Sequence, residues 1–247
     1  MMQKIDYETD PPYLALLRAD LMDEFASRVD RTVTADYANR KQRNSFAAGL
    51  IKRIGATSIF NLGGGGRRHL GGELGAGHTV FEADMVGDCD LKIDLDVLDR
   101  LPFGDGHFDL ACAFDVLEHL EKFHLVNDEL YRISKRHVLI SLPNAGHAIV
   151  SDLLPGRIQH KPNVNHGVYT KFYGLPLERP RDRHRWWFFF ADIVRFYVWF
   201  AARNGCSLTF MVPRRSLFRR IVAGVIGQRL YYELFCPYLW ILLRKPD

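Results

Sequence analysis

The chain has 247 residues, of which 47% are hydrophobic and 25% charged, and its formal net charge at pH 7 is +4. This length and composition fit one α/β domain over residues 1–247 with a sizeable core. Charged residues interrupt both long apolar stretches, at Asp192 and Arg195 and again at Arg229 and Glu233. No run reaches the roughly 18 to 20 uninterrupted apolar residues of a membrane span, so we expect no integral membrane protein.

The N-terminus and the cysteines indicate the compartment. The first residues, MMQKIDYETDPP, carry acids and prolines where a signal peptide has an apolar core. The cysteines are far apart and form no CxxC pair, which argues against a zinc site and against a disulfide framework; they are Cys89, Cys112, Cys206 and Cys236. We therefore expect reduced cysteines and a cytoplasmic protein.

The first predicted elements, taken in chain order, alternate between helix and strand. Apolar residues at helical spacing predict a helix over 36–54, which closes an N-terminal helical part over residues 1–54. Strands and helices then alternate through a core over residues 55–144, and this order predicts parallel βαβ units and an α/β fold. The predicted elements of the core are the strands Ser58–Leu62, Thr79–Ala83, Leu91–Ile93, Phe108–Phe114 and His137–Ser141, with a helix at Glu121–Ser134.

The amino-acid composition changes after the last of these strands. Residues 145–185 are rich in Pro, Gly, His and Asn and show no sustained period, which predicts an insertion or lid. Residues 186–247 return to helices and strands. The predicted elements there are a helix at Arg185–Arg203, a strand at Ser207–Val212, an amphipathic helix at Ser216–Gln228 and a last strand at Leu239–Leu243.

Four glycines follow the first predicted strand, in the stretch NLGGGGRRHL from Asn61 to Leu70. Such a loop lies at the carboxyl edge of a parallel sheet, where open α/β folds bind ligands. The dinucleotide pattern GxGxxG from Gly63 fails because Arg68 occupies its sixth position, and no GxxxxGK pattern follows. Asp84, at the end of the second strand, can accept hydrogen bonds from both hydroxyls of a ribose. The loop and this acid suit an adenosine-containing ligand, while the two failed patterns disfavour a dinucleotide fingerprint and a P-loop.

Two further motifs carry a family resemblance. They are LPFGDGHFD, which leads into the fourth strand after Asp94-Leu95-Asp96, and DVLEHL from Asp115 to Leu120 at its end. Together with the glycine loop they resemble class I S-adenosylmethionine (SAM) dependent methyltransferases, specifically the methyltransferase type 11 subgroup. The resemblance covers about residues 54–144. It implies a Rossmann-like fold with a mostly parallel sheet, helices on both faces and an antiparallel last strand, and a methyltransferase of EC class 2.1.1.

The resemblance also implies a cofactor site for SAM. Gly63 and Gly65 would pass beside the methionine part, Asp84 would hold the ribose, and the adenine and the transferable methyl would lie near the residues of the later motifs, Asp94, Leu95 and Asp115. The family usually has an acid where this chain has Asn61, and a third glycine where it has Arg67. Asn61 can bind but lacks the charge that pairs with the ammonium group of SAM. A catalytically inactive methyltransferase-fold binding protein is therefore an alternative, and an NAD-dependent oxidoreductase is a more distant one.

The acceptor and the catalytic groups are less constrained. Methyl transfer to a hydroxyl needs a base, and histidine titrates nearest neutral pH; the candidates are His119, then His184 and His166. Tyr173, Arg183 and Trp186 are candidates for acceptor contact, because aromatic and arginine side chains suit a sugar face or a flat ring. We expect a small-molecule or glycan acceptor methylated at oxygen. We expect no metal, since His160 and His166 lack compact ligand spacing.

A basic helix at Arg214–Arg229 combines arginines with apolar residues. It is either an ordinary packing helix or a peripheral contact with an anionic membrane surface. Basic patches also attract nucleic acid, but the chain has no NPPY or DPPY tetrapeptide of the amino-methylating DNA enzymes. We expect no nucleic-acid partner.

Overall fold

The computed structural model describes residues 20–65, 68–154, 160–163, 167–170 and 182–246. Its centre is a seven-stranded sheet in the order β3-β2-β1-β4-β5-β10-β9. β1 to β5 are parallel, and β10 runs antiparallel to both β5 and β9. The strands are β1 Ser58–Leu62, β2 Thr79–Asp84, β3 Leu91–Lys92, β4 Phe108–Phe114, β5 Ser134–Pro143, β9 Ser207–Met211 and β10 Tyr238–Arg244.

Helices cover both faces of this sheet, as the sequence predicted. Alternate strand residues point to opposite faces, so Phe60 and Ala111 join one apolar cluster with α4 and α6, while Ile59 and Leu110 join the other with α2 and α3. The helices are α1 Leu21–Arg28, α2 Arg40–Ile54, α3 His69–Leu74, α4 Phe123–Ile133, α5 Ala145–Ala148, α6 Phe190–Asn204, α7 Leu217–Ile226 and α8 Gln228–Phe235. No helix among the described residues is long and apolar enough to cross a membrane.

The helix predicted over 36–54 begins at Arg40, after the Asn39 cap. Two predicted helices of the C-terminal part also differ from those observed. The helix predicted from Arg185 begins only at Phe190, because the backbone N–H groups of Arg185 and Trp186 donate to the Glu118 carbonyl at 2.7 and 3.2 Å and hold this segment extended. The amphipathic helix predicted over 216–228 ends at Ile226. Gly227 has φ +85°, outside the range of a right-handed helix, and α8 begins after it.

The region predicted to form a lid, residues 145–185, contains more regular structure than its composition indicated. It starts with α5 and a π-helical turn at Ile149–Leu153. A separate three-stranded sheet follows, in which β7 pairs with both β6 and β8; its strands are β6 His160–Asn163, β7 Gly167–Thr170 and β8 Asp182–Arg183.

One edge of the main sheet collects the segments of interest. The carboxyl ends of β1, β2, β4 and β5 meet at this edge, as parallel strands require. β9 also ends there, because β10 is antiparallel to both β5 and β9 and Tyr238, its first residue, pairs with Pro143. We call it the carboxyl edge. It carries the glycine loop, the DVLEHL motif, α7 and α8.

Candidate functional site

The turn after β1 is built from backbone. Gly63 and Gly65 have φ of +71° and +74°, a region that side chains with a Cβ rarely adopt. The Gly63 N–H donates to the Ala83 carbonyl at 2.8 Å, and a Cβ at Gly63 would lie 2.3 Å from Val116. The four-glycine stretch therefore lets the chain pass close to β2 and to the DVLEHL motif.

A buried carboxylate lies beside this turn. Glu82 of β2 is 1% exposed, and its Oε1 accepts a hydrogen bond from Nδ2 of Asn61 at 3.3 Å. Its Oε2 has no hydrogen-bond partner in the described part of the chain, and a Cβ at Gly64 would lie 2.4 Å from it. Burial raises the pKa of Glu82, and the hydrogen bond from Asn61 opposes that rise. The end of β1 carries an amide at Asn61, but the neighbouring strand β2 carries a carboxylate beside it.

Asp84 links the ends of β1 and β2. Its Oδ2 accepts a hydrogen bond from the Gly65 N–H at 2.7 Å, and its Oδ1 accepts one from the Val86 N–H at 3.2 Å. Next along this edge, Asp94 is exposed and Leu95 is buried. The residues predicted to hold the ribose and the adenine therefore lie in order along the ends of β2 and β3.

The turn after β4 is built from side chains instead. Asp115 has φ +53° although it is not glycine. Its Oδ2 accepts a hydrogen bond from Arg43 Nη1 at 2.5 Å, and its Oδ1 accepts one from Ser141 Oγ at 2.7 Å. Arg43 comes from α2 and Ser141 from β5, so two other elements fix this carboxylate.

A cluster of ionisable side chains forms around Glu118, three residues after Asp115. Oε1 of Glu118 lies 3.7 Å from Nε2 of His119 and 3.9 Å from Nε2 of His184, and the two imidazole rings meet edge to face at 4.7 Å. Glu118 and His184 are buried. Burial raises the pKa of Glu118, and the neighbouring His119 works against that rise. We call these three residues the Glu-His cluster.

The cluster has the geometry of a metal site as well as of a proton-transfer site. Its ligand atoms all lie within 4.8 Å of one another. Sequence alone does not indicate this grouping, because His184 is distant in the chain; the hydrogen bonds of Arg185 and Trp186 to the Glu118 carbonyl help to bring it beside the other two.

The residues predicted for acceptor contact have mixed placements. Trp186 packs near Phe123 and Phe188, and its Nε1 donates to the Leu120 carbonyl at 2.6 Å. The Arg183 backbone belongs to β8, but its side chain lies outside the described residues, as do His166 and Tyr173. Their predicted roles stay predictions.

The two arginines after the glycines also differ in placement. Arg67 lies outside the described residues. Arg68 pairs with Asp88 and Asp90, with nitrogen–oxygen distances of 3.0 Å in each pair. An arginine saturated by two carboxylates fits the expectation that the glycine loop is not a phosphate site.

Sequence reasoning missed four side chains of this edge. Arg43 looked like one of several basic residues on α2, Glu82 and Ser141 like ordinary strand residues, and Glu118 like part of a structural motif. A buried acid or arginine has to be paired, but burial and pairing across strands are set by the tertiary fold. One signal in the sequence could have indicated Glu118. Glutamate is rarely buried in an apolar core, so a glutamate beside a histidine after a strand indicates a paired or functional side chain.

Comparisons with known proteins agree with this geometry. Residues 82–142 match a family model described as a methyltransferase domain. The methyltransferase domain of bacterial CtHen1-C superposes with a TM-score of 0.53 at 15% identity, over 84% of this chain and 98% of that one. The small RNA methyltransferase HEN1 superposes with a TM-score of 0.50 at 16% identity, over 88% of this chain and 27% of that one. No curated protein matches the sequence.

The sheet order and these structural matches define a class I, Rossmann-like methyltransferase fold. The resemblance drawn from the sequence is confirmed for residues 82–142, which span β2 to β5 and the DVLEHL motif and match the methyltransferase domain model. SAM, the expected cofactor, is the methyl donor of this class.

Proposed function

We propose that this protein is a cytoplasmic enzyme that transfers the methyl group of SAM to an oxygen atom of a small-molecule or glycan acceptor. SAM supplies an electrophilic methyl group on a sulfonium centre when it is bound. The chain then has to orient the acceptor, exclude water and remove a proton. The carboxyl edge offers separate parts for these tasks.

The turn after β1 and the ends of β2 and β3 fit the cofactor. Gly63 and Gly65 would let the backbone pass beside the methionine part, and Asp84 would accept the ribose hydroxyls. Asn61 cannot supply the negative charge that an ammonium group needs, but Glu82 lies beside it with one carboxylate oxygen directed at Gly64. We assign that charge to Glu82. Asp94 and Leu95 then serve the adenine.

The Glu-His cluster is the reason to propose an oxygen acceptor, because a hydroxyl acceptor needs a base. A neutral His119 can take the proton of an acceptor hydroxyl. Burial raises the pKa of Glu118, and its carboxyl group, 3.7 Å from His119, would stabilise the resulting imidazolium once it is ionised. His184 completes the cluster from the other side of Glu118. Asp115, fixed by Arg43 and Ser141, ends β4 next to this cluster and would border the transferable methyl group. Tyr173, Arg183, His166 and Trp186 remain candidates for binding the acceptor.

The first experiment is calorimetric titration of the purified protein with SAM, with its demethylated product S-adenosylhomocysteine, and with NADH. We expect binding of the first two and none of NADH. Binding of NADH alone would replace this proposal by an oxidoreductase, and binding of neither kind of cofactor would contradict it.

Turnover assays with SAM and a panel of hydroxylated acceptors test the second half of the proposal. Binding of SAM without turnover on any acceptor, including RNA, would favour the inactive binding protein. Turnover on RNA, with an affinity that falls steeply with salt, would instead assign a nucleic-acid acceptor. Activity that is lost with EDTA and restored by a divalent cation would assign the Glu-His cluster to a metal, whereas proton transfer by His119 alone is insensitive to chelation.

A further inference from the structure

The helix α7 presents an apolar face to solvent. Phe218, Ile221 and Val225 lie at helical spacing along one side and are 74%, 59% and 80% exposed. Of the ten residues of α7, only Ala223 is buried. A packing helix normally turns its apolar stripe toward the core, so this face is unusual for a helix in contact only with its own domain. Leu217 of α7 and Leu230 of α8 are exposed as well.

Arginines flank this apolar face. Arg214, Arg219, Arg220 and Arg229 are exposed, and none of the four forms an ion pair with a carboxylate within the described part of the chain. Arg215 behaves differently: its guanidinium stacks over Tyr231 and Tyr232 and donates to Gln228. Arg215 therefore fastens α7 to α8, while the other four leave their charges available.

The position of α7 in the fold is also informative. It follows β9 and, together with α8, connects that strand to β10, so both helices lie at the carboxyl edge. The Arg214 N–H donates to Asp36, shortly before α2, which carries Arg43. The apolar face thus belongs to the edge that carries the candidate site.

We propose that α7 lies in the headgroup region of an anionic lipid bilayer, with Phe218, Ile221 and Val225 inserted and the four arginines at the lipid phosphates. A short helix with an apolar face and flanking arginines has the pattern of an interfacial helix, and it cannot span a membrane. The proposal is independent of the function proposed above, because it needs no bound SAM.

Charge selects this occupant over two others. A second copy of the chain, docked face to face, would bring eight like charges around one small apolar contact, which opposes association. A nucleic acid would satisfy the arginines but leave Phe218 and Val225 in water. An anionic bilayer satisfies both the apolar and the basic residues.

The test is flotation of the full chain with vesicles of phosphatidylcholine alone and of phosphatidylcholine with phosphatidylglycerol. We expect flotation with the anionic vesicles, a decline as salt screens the arginines, and little flotation with the neutral ones. The double variant Phe218→Ser/Ile221→Ser should lower partitioning at least about tenfold through lost apolar burial. Arg219→Gln/Arg220→Gln should lower it and flatten the salt dependence. Both pairs are exposed, so the fold and SAM affinity should not change.

Two matched variants outside the helix serve as controls. Leu154→Ser removes an exposed apolar side chain and Arg195→Gln an exposed arginine, and neither should alter flotation. Absent flotation, or equal flotation of all variants, would overturn the proposal. So would a concentration-dependent dimer, measured by sedimentation without vesicles, that the Phe218→Ser/Ile221→Ser change abolishes, because the face would then bind a second copy.

Discussion

The turn after β1 and the turn after β4 lie at the same edge of the sheet but are constructed differently. The first uses glycines at positive φ, with a buried carboxylate, Glu82, beside them. The second places a non-glycine residue, Asp115, at positive φ and fixes it with side chains from two other elements. Removing side chains makes room for a ligand, whereas a set of interlocked side chains positions reactive groups.

The two constructions suit different tasks at this edge. A backbone turn can approach a cofactor closely but supplies little chemistry of its own. The Glu-His cluster that follows the β4 turn can accept a proton, but its side chains leave less space for a ligand. On the function proposed here, changes in the β1 turn should affect SAM affinity, and changes after β4 should affect the chemical step. The first three predictions test that division, and the other two test how each turn contributes to stability.

The largest expected effect is on turnover. His119→Gln removes the proposed base while keeping a polar side chain, and we expect kcat to fall by about 10² to 10⁴-fold, the usual contribution of a general base. SAM affinity should stay the same. His107→Gln is the control, because His107 precedes β4 at the opposite edge. A His119→Gln variant with altered SAM affinity and normal turnover would reverse the division of tasks.

The next effect is on cofactor binding. Gly65→Arg places a side chain at φ +74°, where a Cβ would already lie 2.8 Å from Arg40, and it fills the space proposed for the methionine part. We expect SAM affinity, measured by calorimetry, to fall more than about 100-fold. Gly72→Arg is the matched control, since a Cβ at Gly72 has no neighbour within 4 Å. Equal affinities in the two variants would move the cofactor site away from the loop.

A moderate effect is expected at the buried carboxylate. Glu82→Gln should cost about 1 to 3 kcal/mol of SAM binding, the range for losing a charged hydrogen-bond partner. Asn61→Asp combined with Glu82→Gln moves the charge to the end of β1 and should restore much of that affinity. If the double variant binds SAM no better than Glu82→Gln alone, Glu82 does not supply the charge for the ammonium group.

The same residue predicts a pH dependence of stability. Burial raises the folded-state pKa of Glu82 above its ordinary 4.5, so the folded state holds this proton more tightly than the unfolded state. The free energy of unfolding therefore loses Glu82's contribution as pH rises from about the ordinary pKa through the raised one. Without SAM, the Glu82→Gln variant should lack this loss and be more stable than the wild type at neutral pH, as thermal unfolding at several pH values would show.

The sequence predicted the parts of this edge that are local in the chain. The strands, the glycine loop and the DVLEHL motif could be located because periodicity and motif spacing act over a few residues. The contacts of Glu82, Arg43 and His184 could not be located in the same way. Glu82 meets Asn61 through the register of β1 and β2, Arg43 reaches Asp115 from α2, and His184 reaches Glu118 from the segment that was predicted to form a lid. Contacts between elements depend on the assembled sheet, which no single stretch of sequence records.

The smallest expected effect concerns the stability of the β4 turn. Asp115→Asn keeps a side chain that tolerates positive φ and can still bond to Ser141, but it leaves Arg43, which is 10% exposed, without its carboxylate. We expect a loss of about 1 to 2 kcal/mol in the free energy of unfolding, measured with urea. Asp99→Asn, which breaks a surface pair with Lys122, should have no measurable effect.

Asp115→Gly compares backbone strain with side-chain hydrogen bonding, because it relieves the φ of +53° and also removes both hydrogen bonds. If Asp115→Gly proves more stable than Asp115→Asn, the backbone strain at Asp115 costs more free energy than its side-chain hydrogen bonds contribute.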